Sequence, residues 1–129
     1  MLALPTSVRI FVASKPINMH FSFDKLARIV RDYLGQEPMN SHLYVFFNKR
    51  ADKVKILVWD RHGWSLLYKR LEVGTFKPPS RIDAAQKQVE IENVQLALIL
   101  EGIDLTGAQK QRRWLPGKKE AEQKKLVKA

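Results

Sequence analysis

The chain has 129 residues, a mass of 15.0 kDa and 45% apolar residues, a size and content that predict one compact domain with one core. No apolar run reaches the roughly 20 residues needed to span a bilayer, and Met1 to Pro5 lacks the features of a signal peptide. The expectation is therefore a cytoplasmic protein with no membrane partner. Cysteine is absent, which excludes disulfides, thiolate nucleophiles and cysteine-ligated zinc. Against 13 Asp and Glu stand 23 Lys and Arg, a net charge of +10 and a pI near 10.0. Such a field attracts polyanions, nucleic acid above all, although the same excess also serves simple solubility.

In chain order, Val8 to Ala13 is a β-branched and aromatic run closed by Ser14-Lys15-Pro16 and predicts a first strand. Ser22 is placed to cap a helix in which Leu26, Ile29, Val30, Tyr33 and Leu34 recur at helical spacing. Phe21 and Leu26 fit a hydrophobic staple, and Gly35 the stop. Lys25, Arg28, Arg31 and Asp32 fall on the outer face, where a solvated role is the ordinary one.

His42 to Asn48, Lys53 to Asp60 and Trp64 to Leu71 are three strand-like runs separated by short polar turns, which predicts an antiparallel meander. In the second run Val54, Ile56 and Val58 share one face, opposite Lys53, Lys55, Leu57 and Trp59. The sheet is thus expected to be half buried. Gly74 and Pro78-Pro79 mark a loop or an arm lying over the sheet. Gln88 to Ile91 predicts a brief strand, and Asn93 is expected to cap a buried helix over Val94 to Glu101, stopped by Gly102. The fold class is α+β: an antiparallel meander with an N-terminal strand, two packed helices and a flexible basic C-terminal tail. The domain is expected to occupy residues 1–105 and the tail 106–129, where Lys and Arg far outnumber Glu120 and Glu122.

No catalytic constellation emerges. His20, His42 and His62 are scattered without HxxxH or HExxH spacing, so no metal site and no cofactor are expected. Asp24 suits the first turn of a helix, and Asp52 and Asp60 suit turns. Phosphate-binding and serine-hydrolase motifs are missing. The chain is therefore read as no enzyme, with no small-molecule substrate. A nuclease using Asp60 and Glu72 with magnesium is the least favoured alternative.

Binding chemistry is richer. Lys49, Arg50, Lys53, Lys55, Lys69 and Arg70 crowd the meander, together with Arg61 and the rings of Tyr44, Phe46, Trp59, Trp64 and Tyr68. Cations and rings on one sheet can grip a sugar-phosphate chain, whereas rings also serve as core. In the tail, Arg112, Arg113, Lys118 and Lys119 have the composition of a backbone-gripping arm around Trp114. These residues are the candidate DNA contacts. Leu57, Trp59 and Trp64 are the candidate apolar patch for a protein partner.

The stretch VKILVWDRHGWSLLYKRLEVGTF, Val54 to Phe76, resembles the TnpB accessory protein of insertion sequences in the IS-sixty-six group, which is unrelated to the RNA-guided nuclease of the same name. Further positions that match the family pattern are Arg9, Met19, Phe23-Asp24-Lys25-Leu26, Tyr44 to Phe47, and Leu100-Glu101-Gly102-Ile103-Asp104. Two stretches depart from it. Asn18-Met19-His20-Phe21 stands where the family reads Asp-Met-Arg-Lys, and Lys77-Pro78 where it reads Trp-Pro, so a cationic contact at the first and a stacking ring at the second are not carried over. The resemblance implies an accessory protein of transposition without catalytic residues, and DNA or the transposase of the same element as partner.

Overall fold

The computed structural model describes residues 7–79 and 85–102. The expected basic tail, with Arg112, Arg113, Lys118 and Lys119, lies outside the described residues.

Strands β1 (Ile10–Ala13), β2 (Leu43–Phe47), β3 (Lys53–Asp60), β4 (Gly63–Arg70) and β5 (Gln88–Ile91) form one five-stranded sheet in the order β4-β3-β2-β1-β5. The predicted meander is β2-β3-β4, antiparallel throughout, with Phe47 opposite Val54 and Lys53 opposite Arg70. The first strand takes an inner place: β1 runs parallel to β2 and antiparallel to β5. A parallel neighbour needs a crossover, and helix α1 (Phe23–Arg28) lies within it.

The sheet is covered on both faces, so the half-buried expectation holds only toward β4. Every residue of β1 and β2 is buried. On one face Ile10, Val12, Val45, Val54 and Ile56 pack with Leu96 and Ile99 of helix α2 (Asn93–Leu100) and with Phe76 from the predicted arm. On the other, Phe11, Tyr44, Phe46 and Leu57 pack with Leu26, Ala27, Val30 and Leu34. Alternation along each strand supplies both cores. The two helices therefore pack on opposite faces, each against the sheet.

Both helix ends differ in detail from the sequence reading. The Ser22 hydroxyl makes no capping bond, although Phe21 and Leu26 do join one cluster as a staple would. Glu92, not Asn93, is the N-cap of α2, with its N–H donating to Gln95 Oε1 at 2.8 Å. Helix α1 runs on into a wide π-helical turn, Ile29–Tyr33, in which Leu34 N–H bonds the Ile29 carbonyl at 3.0 Å. Gly35, at φ +71°, then reverses the chain and lets Gln36 N–H reach the Val30 carbonyl. Gln88 Nε2 donates to the Leu34 carbonyl at 3.2 Å, tying β5 to the end of this turn.

Candidate nucleic-acid interface

The strand directions bring the C-terminal ends of β1, β2 and β4 to the same end of the sheet as the start of β3 and β5. Lys49 and Arg50 lie in the β2–β3 turn at that end, Lys53 opens β3, and Lys69 and Arg70 close β4. Lys15, just after β1, and Lys87, just before β5, join them there. The sequence reading missed these last two, because only the sheet order brings residues so far apart in the chain to one rim. With strands about 4.8 Å apart, the rim extends roughly 19 Å across the sheet. Asp52 and Glu72 lie at the same end.

Register sharpens the picture. Lys53 stands directly opposite Arg70, and like charges in that position repel. Arg70 is partly relieved by Glu72, at 2.9 Å in an exposed pair, and a phosphate would relieve Lys53 as well. Asn48 organises the turn beneath Lys49 and Arg50: its amide donates to Asp52 Oδ1 at 2.7 Å, and its Oδ1 accepts Lys53 N–H at 3.0 Å. That amide, helped by Lys53 and Arg50, holds the Asp52 carboxyl below the usual carboxylate range.

Two of the expected contacts are corrected. Lys55 is 5% exposed, and its ammonium donates to the Met19 and Phe21 carbonyls at 2.6 and 2.7 Å while lying 4.7 Å from the centre of the Tyr68 ring. Burial lowers its pKa. The side chain is thus a tether between sheet and crossover, its buried ammonium engaged by two backbone carbonyls. Leu57, expected in an exposed patch, is 0% exposed beneath α1. Trp59 and Trp64 are half-buried and pack edge to face at 5.0 Å, at the opposite end of the sheet from the cations. Tyr44 and Phe46 are core, whereas Tyr68 is 52% exposed. Lys69 has a second engagement, donating to the Leu100 carbonyl at 2.8 Å, where a cation suits the end of α2.

The far end is chemically different. Arg9 is paired to Glu90 at 2.7 Å, and His42 Nδ1 accepts Arg9 N–H at 3.0 Å. Burial, followed by the Arg9 charge, lowers the His42 pKa. Asp60, in the β3–β4 hairpin here, is a full strand away from Glu72, so the two cannot share a metal ion. Among the described residues no cluster of three His, Asp or Glu could hold one, and no helix is long and apolar enough to cross a membrane.

An open apolar groove of about 490 Å³ runs along the α2 face of β3 and β4, lined by Val8, Leu43, Ile56, Val58 and Leu67. Leu67 is 42% exposed there, on the edge strand. Of the expected patch residues, Trp59 also lines this groove, whereas Leu57 is buried beneath α1.

Comparison with known proteins gives a consistent result. The family model described as "IS66 Orf2 like protein" matches residues 8–110. Uncharacterized protein y4hO of Sinorhizobium fredii is 32% identical over 118 residues, covering 92% of this chain and 98% of the relative. Uncharacterized protein y4jC of the same organism is 29% identical over 106 residues, covering 82% and 88%. No solved structure matches the chain.

Proposed function

The chain belongs to the IS66 Orf2-like family, accessory proteins of insertion sequences, and from that premise we propose that it serves transposition by binding DNA without catalysis through the basic rim of its sheet. The observation that carries the proposal is the gathering of Lys15, Lys49, Arg50, Lys53, Arg70 and Lys87 at one sheet end, with Lys53 set against Arg70. A row of cations about 19 Å long matches the spacing of several phosphates on a duplex, which presents one charge per roughly 1.7 Å of axis. The candidate tail contacts Arg112, Arg113, Lys118 and Lys119 extend the same chemistry along the chain.

Fluorescence anisotropy on a labelled insertion-sequence end and a scrambled duplex, each across a salt series, tests this reading. Affinity that falls steeply with salt is expected. A salt-independent interaction, or one unchanged when Lys53 and Arg70 are both replaced by Ala, would overturn it.

The groove beside Leu67 supports a second reading, an adaptor that docks on the transposase of the same element. Capture of purified transposase in nuclease-treated solution, lost in Leu67→Asp, is the expected result under that reading. Capture that persists in Leu67→Asp rules the groove out.

A further inference from the structure

A second concavity lies on the α1 face, between the segment that follows β1 and the π-helical turn. It has a volume of about 410 Å³ and is lined by Ala13, Lys15, Pro16, Ile17, Asn18, Phe21, Ile29 and Tyr33, within the usual range for small-molecule and base-sized ligands. Its walls are apolar and include two rings, and each ring carries ammonium groups. Lys15 and Lys87 lie 5.4 and 5.0 Å from the centre of the Tyr33 ring, and Lys25 lies 5.2 Å from that of Phe21. All three lysines are exposed.

The wall that follows β1 is fastened to the sheet by backbone and side-chain bonds. Ile17 N–H bonds the Phe47 carbonyl at 2.9 Å, and buried Lys55 fastens the Met19 and Phe21 carbonyls to the sheet. The opposite wall is the widened turn. It contributes Ile29 and Tyr33 to the lining, and such turns recur at functional sites.

An apolar slot with ring walls and a rim of cations is complementary to a flat aromatic group carrying negative charge. We infer that this pocket receives one unstacked base of single-stranded DNA, with the base against Tyr33 and Phe21 and its flanking phosphates on Lys15, Lys25 and Lys87. The inference rests on the proposed DNA-binding reading and adds to it the form of the substrate: a strand end or opened segment in place of an intact duplex. Lys15 and Lys87 belong to both surfaces, so a strand leaving the pocket runs directly onto the basic rim.

The test uses the full-length protein, with a labelled oligothymidine and a mixed-sequence duplex of equal length, at several salt concentrations. The wild type is expected to favour the single strand. Tyr33→Leu, which keeps apolar bulk and removes the ring, should weaken single-strand binding on the order of tenfold and leave duplex binding unchanged. Tyr33→Phe should restore the single-strand preference, which a fold defect would not allow. Equal affinity of the wild type for the two DNAs overturns the inference, as does a Tyr33→Leu loss that is the same for both. Failure of the rim reading would show separately, as duplex binding indifferent to Lys53→Ala with Arg70→Ala.

Discussion

The two ends of the sheet share the same five strands and differ in almost everything else. At one end the turns and strand termini deliver Lys15, Lys49, Arg50, Lys53, Arg70 and Lys87, with Asp52 and Glu72 beside them. At the other, Arg9 is paired with Glu90, Asp60 faces Gly63 across a tight hairpin, and Trp59 and Trp64 pack together. The contrast teaches that a net charge of +10 says little until the strand directions are known. The antiparallel meander gathers Lys49, Arg50, Lys53 and Arg70, and Lys15 and Lys87 join them because β1 runs parallel to β2 and antiparallel to β5.

The largest effect should come from removing the rim. Lys49→Ala with Arg50→Ala and Lys53→Ala is expected to weaken duplex binding on the order of a hundredfold near 0.1 M salt. The salt slope should fall by about 2.7, at roughly 0.9 per lost contact, as read by anisotropy. Arg61→Ala at the far end is the control, and an equal loss there would abolish the distinction between the ends.

Lys55→Ala should separate structure from binding within the basic end itself. It leaves two carbonyls without their donor, and a loss of about 1–3 kcal/mol in urea unfolding is expected. The salt slope of the folded protein on duplex should not change. A reduced slope would return Lys55 to the phosphate contacts.

The smallest effect concerns the neutral end. The His42 pKa is lowered in the folded protein, so between that value and its ordinary one the unfolded chain binds more protons. Stability is therefore full above about pH 6.5 and declines as pH falls through this window. Protonation of Nδ1 would also remove the acceptor for Arg9 N–H. Thermal unfolding followed from about pH 7.5 to about pH 5 should show this decline, and His42→Gln should flatten it. Asp52 and Glu90, both lowered, lose their contributions only at more acid pH.

Much of this was legible in the sequence, and the parts that were not have physical reasons. The strands showed because short β-branched and aromatic runs stand between polar turns, and Gln88–Ile91 was found at its observed bounds. Lys55 misled because lysines alternating with valine and isoleucine read as a solvent face. Its burial is imposed by carbonyls 36 and 34 residues earlier in the chain, which no local pattern reports. Leu57 misled for the same reason, since α1 covers that face. The rim was half visible as a crowd of cations in the meander, but Lys15 and Lys87 required the sheet order. The π turn left no trace in the spacing, because Leu26, Ile29, Val30 and Tyr33 satisfy an ordinary helical repeat.

The inner position of the earliest strand also governs how the molecule can be made. During synthesis β1 emerges first, yet one partner follows at Leu43 and the other only at Gln88. Until the ribosome has delivered Ile91, one side of β1 has no strand to pair with, and the hairpin of β3 and β4 is the local structure available to form early. A gene copy interrupted before Gln88 would therefore yield a chain with an open inner edge, prone to join other chains. Truncation before Ile91 should thus leave the first strand without its second partner and abolish folding of the sheet.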